Sequence, residues 1–381
     1  MLPFNQPHPK AYEQLNLSSA DALICEAGTL PLDDIAKQCK NLKSLTWVVE
    51  KTSRHMDWAG SPSSKLNVNV WHDLVEEDKS ASAELPANQE GEKLGSVIVV
   101  SQPSSASAKP TLTTFTHANL ISATAAALTS LPLRQRLTPS DLLLPATEFA
   151  KTYTLTWTLA ALFSHASVAL TSVAGPGVDF HAATRSVSPT IIIASPETMA
   201  NLHKGQTAGL NAGPLIHKLG RANQQSTLAS GRMPSPSLLF KLMAPPAAAA
   251  QNKPGALRLI LTPHQLGLDS PPLSSAMLSD LRIFTRARVV YALTAPEVAG
   301  AVAQSHVFDY RVEKNGREQA RFGAPVASVE VKLLSKDDEQ VGKSEPSGEL
   351  VVSGPAVAGD GEEWRSGVQC EIGEDGCLRL V

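Results

Sequence analysis

The sequence predicts an α/β protein, with doubly wound parallel sheets and a smaller β-rich subdomain at its C-terminal end. The first observation is a series of apolar runs of four to six residues, rich in Val and Ile and separated by helix-like segments. The second is a change near residue 321, after which Val326–Leu334 and Glu349–Ser353 alternate with a period of two. With 381 residues, 43% of them hydrophobic, the chain is long enough to bury the core that such a fold needs.

Residues 1–95 are expected to form the first part of the α/β fold and a linker. Its elements are a strand, a helix, a second strand, and a strand that runs into a short helix, at Ala22–Cys25, Pro31–Leu42, Ser44–Glu50 and Leu66–Leu74. Asp33 and Asp34 fall in the first helical turn, where acidic side chains are favourable. Glu76–Leu94 is polar and acidic, which predicts an exposed linker.

Residues 96–320 are expected to form the main α/β core, and residues 321–381 the β-rich subdomain. The expected core strands after the first are Asp141–Pro145, Ser167–Leu170, Pro189–Pro196, Leu257–Leu261 and Arg288–Tyr291. The expected helices are Leu120–Leu131, Tyr153–Ser164, one beginning at Glu197, and Ser274–Thr285. Gly205–Pro254 is rich in Gln, Ser, Gly and Ala, which predicts a long surface insertion or a mobile helix pair. Cys377–Val381 is the last expected strand.

The segment Ser96–Leu120 has the outline of a phosphate-binding loop. Val97–Val100 reads as a strand, mostly small residues follow, and Thr116–Leu120 opens a helix. A strand, a small-residue loop and a helix in this order present backbone N–H groups to phosphate. Such loops normally need glycine, which lets a ligand approach the backbone closely, and none occurs between Ser101 and Asn119. The architecture therefore predicts a phosphate site, and the composition argues against one.

Composition excludes several classes of function. A net charge of −3 argues against a nucleic-acid partner. The four cysteines have no metal-binding spacing, and no secretory signal is visible, so an intracellular protein is expected, in the cytoplasm or at an organelle surface. Tyr153–Ala174 is apolar but interrupted by Ser, Thr and His, and it predicts a buried helix and strand; a transmembrane segment is the lesser interpretation.

Isolated histidines are expected to be structural. His117 most simply caps or packs at a helix start. His72, His165 and His264 lie on different predicted elements without the spacing of metal ligands. No metal site is expected from them.

Five segments occur in the order typical of one enzyme family. They are SSASAKPTL with THANL, DLLLP, PTIIIASP, RVVYALTA, and the blocks between Phe322 and Leu380. Their order resembles the adenylate-forming superfamily and, within it, the AMP-forming acyl-CoA synthetases, over about residues 20 to 381. The resemblance implies the stacked doubly wound sheets of the acyl-CoA synthetase N-terminal core with a smaller β-rich subdomain. The C-terminal catalytic domain of such enzymes is expected to be absent, because the chain stops about where that domain would begin.

The resemblance also implies a vestigial nucleotide site. The positions that correspond to nucleotide-binding ones are Ser104, Ser107, Thr111, Tyr291, Thr294 and Val368. Thr111 stands where the family pattern has lysine, and Val368 where it has the aspartate that binds ribose. Ala295 replaces a glutamate that resembles a magnesium ligand. No catalytic residue and no metal ligand is therefore expected.

Two functions remain open at this point. The first is a catalytically inactive protein that acts as a scaffold, a regulatory subunit or a binder of fatty-acyl ligands, with protein partners and no cofactor. The alternative is a diverged ligase that needs ATP and magnesium, uses Lys109 and Glu297 as displaced substitutes, and is completed by another chain. A weaker third hypothesis is attachment to a membrane surface through Tyr153–Leu170.

Overall fold

The computed structural model describes residues 8–49, 66–77, 95–102, 109–171, 174–184, 187–234, 257–313, 317–335, 343–359 and 362–381. These residues form a three-stranded sheet, a two-stranded hairpin, a seven-stranded sheet and a four-stranded sheet. The predicted α/β class with an antiparallel β-rich part is confirmed.

The N-terminal part is a small parallel sheet with helices. Its elements are α1 (His8–Leu17), β1 (Ala22–Glu26), α2 (Leu32–Gln38), β2 (Ser44–Val48), β3 (Asn67–Val70) and α3 (Trp71–Glu77). The strands pair in the order β1-β2-β3, and Ile35, Leu45 and Trp47 form the centre of its core. Helix α1 was not predicted. Helix α2 ends before the predicted Leu42, because Cys39 leaves the helical conformation (φ −103°, ψ 76°).

The predicted acidic linker starts too early. Glu76 and Glu77 belong to α3, and the remainder of Glu76–Leu94 lies outside the described residues.

The segment predicted as strand, loop and helix contains a second strand. Strand β4 (Val97–Ser101) pairs antiparallel with β5 (Thr111–Phe115), so that Ser101 lies opposite Thr111. The prediction that the loop leads directly into a helix is therefore wrong. Thr111–Phe115 is rich in β-branched residues and alternates, with Thr113 and Phe115 buried, as a half-buried strand requires. Residues 103–108 of the loop lie outside the described residues.

The central sheet follows the hairpin. Its elements in chain order are α4 (His117–Ser130), β6 (Leu142–Pro145), α5 (Thr152–Phe163), β7 (Ser167–Val168), α6 (Phe180–Thr184), β8 (Ile191–Ile193), α7 (Pro196–Ala212), α8 (Leu215–Ala229), β9 (Leu259–Gln265), α9 (Ser275–Thr285), β10 (Arg288–Thr294), β11 (Ala303–Gln304) and β12 (Ala324–Pro325). The strand order is β12-β11-β10-β9-β8-β6-β7. Strands β6 to β10 are parallel, and β11 and β12 add an antiparallel edge.

Both faces of the central sheet are buried. Alternate residues of the same strand belong to different cores: Ile260 packs in the core that contains Leu281 of α9, and Leu261 in the core that contains Trp157 of α5. Continuous apolar strands are required when both faces are covered by helices, as in a doubly wound sheet. Helix α5 is the predicted buried helix of Tyr153–Ala174, and in the described part of the chain no helix is long and apolar enough to cross a membrane.

Helix α4 begins at a capping box that also holds the β-rich part. Thr116 Oγ1 accepts a hydrogen bond from the Asn119 N–H, and the Asn119 side chain accepts one from the Thr116 N–H. The Asn119 amide nitrogen donates to the carbonyl oxygens of Pro355 and Val357, at 2.9 and 2.8 Å. The expectation that His117 caps or packs here is wrong: it is the exposed first residue of the helix.

Much of the stretch predicted as an insertion is regular. Helices α7 and α8 cover Pro196–Ala212 and Leu215–Ala229, and residues 235–256 lie outside the described residues. Both helices bind the buried carboxylate of Asp280 on α9, through His203 at 3.0 Å and Arg221 Nε at 2.8 Å. The described part of Gly205–Pro254 is thus a helix pair, one of the two predicted alternatives, and hydrogen bonds to Asp280 attach it to α9.

The C-terminal part is an antiparallel sheet of β13 (Glu330–Leu334), β14 (Ser347–Ser353), β15 (Trp364–Ile372) and β16 (Leu378–Leu380). Strand β13 starts four residues after the predicted Val326. Strand β15 was not predicted, although it is the longest of the four. Ion pairs join this sheet to the segment before it: Arg321 binds Asp375 at 3.2 Å, and Arg379 binds Glu313 at 3.2 Å.

A buried aspartate ties together the beginnings of three central strands, and it predicts acid sensitivity. Asp141 accepts hydrogen bonds from Arg258 and Thr190 at 2.8 Å. Burial raises the pKa of Asp141, but these hydrogen bonds outweigh it and lower the pKa to about 2. Because the folded pKa lies below the unfolded one, of about 3.9, the stabilisation is complete above about pH 4 and is lost as the pH falls towards about 2.

The variant Asp141→Asn is expected to be less stable than the unchanged protein at neutral pH, and the difference should shrink as the pH falls from about 4 to about 2. Urea denaturation followed by circular dichroism at several pH values measures it. A difference that stays constant over that range would contradict the assignment of the titration to Asp141.

Candidate ligand-binding cleft

A cleft lies at the C-terminal ends of the central parallel strands. It contains a cavity of about 200 Å³ and an adjoining crevice of about 10 Å³, both lined by Ser101, Lys151 and Gln265. These residues come from the end of β4, the start of α5 and the end of β9. Ligands of open α/β sheets bind in crevices at this edge, because loops and helix N-termini converge there.

A larger cavity, of about 310 Å³, lies away from these strand ends. It is lined by the end of α4, by β11 and β12, and by Cys377. None of the residues predicted for the nucleotide site lines it. The cleft at the strand ends is therefore the candidate site.

Charged side chains of both signs line the 200 Å³ cavity. Glu148, Glu197 and Asp269 provide carboxylates, and Lys151 provides the ammonium group, which gives a formal charge of −2. Lys151 is only 9% exposed, although it stands at the N-cap position of α5, one residue before the helix begins. Among the described residues, no hydrogen bond or ion pair engages its ammonium group. One oxygen of Glu197 is buried and has no hydrogen-bond partner in the described structure.

Three aromatic rings pack together beside this cleft, and two of them are stacked. Tyr291 of β10 is fully buried and lies against Phe322, with ring centres 4.7 Å apart and planes inclined by 27°. His264 of β9 lies 5.6 Å from the Phe322 ring and 6.0 Å from the Tyr291 ring. The Tyr291 hydroxyl accepts a hydrogen bond from Gln319 at 3.1 Å, and burial holds the pKa of Tyr291 well above its usual value. Tyr291, predicted as a nucleotide contact, thus presents no exposed surface.

The protonation of His264 follows from its position. Burial lowers the pKa of His264 to about 4, with the charges of Glu197 and Lys151 acting in opposite directions. The ring is therefore neutral at physiological pH, and it adds no positive charge to the cleft.

The end of β10 brings few groups to the crevice that could bind a ligand. Thr294 and Ala295 line the crevice, and both are buried. The Thr294 hydroxyl donates to the His264 carbonyl at 3.2 Å, so it joins β10 to β9 within the sheet. Glu297 lies two residues after Ala295. Burial raises the pKa of Glu297, and one of its oxygens has no hydrogen-bond partner in the described structure. The described residues offer no group of three His, Cys, Asp or Glu that could hold a metal ion.

The remaining predicted site residues are scattered. Thr111 is exposed at the start of β5, opposite Ser101 of the cleft, and Lys109 precedes it. Ser104 and Ser107 lie outside the described residues. Val368 lies on β15, where it packs partly buried against the main core, and it is not among the residues that line the cleft. Of the four predicted positions that the structure describes, only Thr294 lines the cleft.

Sequence reasoning missed Lys151, Glu197 and Gln265, which line the cleft. Their common signal is position: each lies at or just beyond the C-terminal end of a predicted strand or at the start of the following helix. In a parallel sheet such positions meet at one edge, so the strand predictions already contained the information.

Comparisons with known proteins agree with this architecture. A family model described as AMP-binding enzyme matches residues 4–359. The chain is similar over its whole length to the N-terminal domain of FACL13 from Mycobacterium tuberculosis, with 15% identity, a TM-score of 0.61 and 79% of that domain covered. It is similar over 99% of its length to the anthranilate CoA ligase AuaEII in complex with anthranoyl-AMP, with 16% identity and a TM-score of 0.62.

The chain covers only 61% of AuaEII, less than two thirds of that ligase. It covers 75% of the luciferase-like enzyme from the mealworm Zophobas morio, with 15% identity and a TM-score of 0.62. No curated protein matches the sequence. At these identities the structural likeness concerns the fold, and the family model carries the assignment. The match over residues 4–359, together with the adenylate-forming fold, shows that this chain belongs to the AMP-binding enzyme family.

Proposed function

We propose that the chain is a non-catalytic member of its family, which binds a ligand or a protein partner and acts as a scaffold or regulatory subunit. The observation that carries this proposal is the end of β10, where Ala295 presents a methyl group to the crevice and the Thr294 hydroxyl is bonded to the sheet. Adenylation transfers AMP to a carboxylate, and it needs donors and a metal around the phosphates. Neither residue supplies one.

The charge of the cavity supports the same conclusion. A nucleoside triphosphate brings several negative charges, and the cavity already carries a formal charge of −2. Lys151 is its only cation among the described lining residues. A single ammonium group offsets only one of those charges. The described lining therefore offers the phosphates of a nucleotide little positive charge.

The aromatic rings beside the cleft also support a non-catalytic function. In the family pattern, the strand that corresponds to β10 meets the adenine. Here Phe322 covers one face of Tyr291, and His264 lies against both rings. An adenine would have to displace a buried aromatic side chain, which costs about 2 kcal/mol of apolar burial.

The proposal predicts that purified protein does not exchange pyrophosphate. Loss of one transition-state contact reduces turnover by about 100-fold to 1,000-fold, and the resemblance implies losses at Thr111, Ala295 and Val368. We expect no shift in unfolding temperature with ATP and magnesium, and no carboxylate-dependent exchange with fatty acids of several lengths. A clear thermal shift together with exchange would overturn the proposal.

A second candidate function is a diverged ligase completed by another chain, with Lys109 and Glu297 as substitutes. The observation in its favour is the buried oxygen of Glu297 that has no hydrogen-bond partner in the described structure, as an unfilled metal ligand would show. If exchange is found, Glu297→Gln should abolish it under this hypothesis, and Glu318→Gln, an exposed control, should not. Exchange that survives Glu297→Gln would exclude Glu297 as the metal ligand.

A further inference from the structure

Three large apolar side chains are exposed at the edge of the central sheet where strands β6 to β10 begin, opposite the cleft. Leu133 is 81% exposed and lies in the connection between α4 and β6. Leu162 and Phe163, which are 56% and 75% exposed, are the last two residues of α5. This helix runs from the end of β6 back to the start of β7, so its last turn lies at this edge. Single exposed apolar residues are ordinary, but several together mark an interaction surface.

The connection and the helix end are both fixed to the sheet. Leu131, two residues before Leu133, belongs to the same core as Ala161 of α5. Arg258, which directly precedes β9, donates a hydrogen bond to the carbonyl oxygen of Gln135 at 3.0 Å. The exposed side chains therefore project from well-packed segments, and folding leaves them in water at this edge.

The same edge is strongly positive. The described segments that flank the starts of the five parallel strands are residues 130–141, 161–167, 187–190, 257–258 and 285–288. They contain five arginines and one carboxylate, that of Asp141, which binds Arg258. Their formal charge is thus +4, although the net charge of the whole chain is −3. Arg134 and Arg136 are exposed on either side of Gln135, and neither forms an ion pair with a described residue.

We propose that the surface formed by Leu133, Arg134, Arg136, Leu162 and Phe163 binds an anionic lipid membrane. The apolar side chains enter the boundary between headgroups and acyl chains, and the arginines pair with anionic headgroups. Long arginine stems lie along such a boundary while their guanidinium groups stay in water. A purely acidic protein surface would pair with the arginines and leave the three apolar side chains in water. The proposal goes beyond the non-catalytic function and does not depend on it, because the cleft lies at the other edge of the sheet.

Vesicle flotation with the full chain tests the proposal. Vesicles made of equal parts of phosphatidylcholine and phosphatidylserine are compared with vesicles of phosphatidylcholine alone, and lipid titration gives the dissociation constants. At low ionic strength the chain is expected to bind the anionic vesicles about tenfold more tightly or better, and added salt should weaken this binding. Failure to float with the anionic vesicles at low ionic strength, or equal affinity for both kinds of vesicle, overturns the proposal.

Two variants separate insertion of apolar groups from attraction of charge. Phe163→Ser and the double variant Arg134→Gln with Arg136→Gln are each expected to weaken binding to the anionic vesicles about tenfold or more. The three side chains are exposed, so the unfolding temperature should stay the same, which circular dichroism checks. A loss confined to the arginine variant is the result that an acidic protein partner predicts, and it would overturn the membrane proposal.

Matched controls lie elsewhere on the surface. Ile121→Ser removes an apolar side chain that is 68% exposed in the first turns of α4, and Lys37→Gln with Lys40→Gln removes two exposed cations of the N-terminal part. Both controls are expected to bind the anionic vesicles as the unchanged protein does. A control that weakens binding as much as the surface variants would overturn the proposal. Pyrophosphate exchange would overturn the non-catalytic function without affecting vesicle binding, so the two proposals fail separately.

Discussion

Replacing Gly323 with alanine is expected to lower the free energy of unfolding by about 3 kcal/mol or more. Gly323 has a φ of +89°, a conformation that residues with a Cβ rarely adopt. A Cβ at this position would lie 2.3 Å from the backbone oxygen of Gln304 and 2.7 Å from the Cα of Ser305. Since both atoms belong to the backbone, β11 would have to move. The residue before it, Phe322, is the ring that covers Tyr291, so the cleft should be disturbed as well.

Gly376→Ala separates the two causes of this loss. Gly376 also has a positive φ, of +69°, but no atom lies within 4 Å of the position of its Cβ. It should therefore show only the conformational cost, about 1 kcal/mol. Urea denaturation of both variants, followed by circular dichroism, gives the comparison. Equal losses for the two variants would mean that the contact with Gln304 contributes nothing.

Replacing Asp280 with alanine is expected to destabilise the protein by about 3 kcal/mol. Asp280 is 2% exposed, and it accepts hydrogen bonds from His203, Arg221 and Gln225. Its removal leaves the Arg221 guanidinium without its counter-ion, next to a buried space. Burial raises the pKa of Asp280, but hydrogen bonds from His203 and Arg221 outweigh it and lower that pKa, which shows that the carboxylate is the stabilised form.

The double variant Asp280→Leu with Arg221→Leu is the matched control. Replacing the carboxylate and the guanidinium with apolar groups avoids an unpaired charge, so the double variant should be more stable than Asp280→Ala. Amide hydrogen exchange should locate the loss in α7 and α8, because both helices are bound to Asp280. A double variant that is less stable than Asp280→Ala would show that the unpaired charge of Arg221 is not the main cause of the loss.

The strands of the central sheet could be predicted because burial on both faces leaves a direct mark on the sequence. Ile191–Ile193 is apolar throughout, and its side chains enter two different cores. The sequence of Thr111–Phe115 predicts a strand less strongly, since three threonines in five residues are compatible with a loop as well as a strand. Only pairing with β4, a contact between separate segments, decides between them. Helix α8 was predicted only as one of two alternatives, because what attaches it lies in other segments: Leu228 packs with Phe284, and Arg221 binds Asp280.

The candidate site was predicted less well than the fold. Tyr291 and Thr294 matched a family pattern, but a pattern of residue types does not reveal whether a side chain faces a ligand or its own core. Phe322, which covers Tyr291, is 31 positions away in the sequence. The meeting of Lys151 and Glu197 is also a product of chain topology, since they come from different helices at one edge of the sheet.

The hydrogen bonds of Asn119 have a consequence for the order of folding. They connect the first turn of α4 to Pro355 and Val357, residues 236 and 238 positions further along the chain. Closing a loop of that length carries a high entropic cost, and such contacts form slowly compared with local ones. A ribosome must therefore deliver the chain at least as far as Val357 before both hydrogen bonds can form. Until then the α4 N-terminus keeps its local cap from Thr116, but the Asn119 amide has to be satisfied by water.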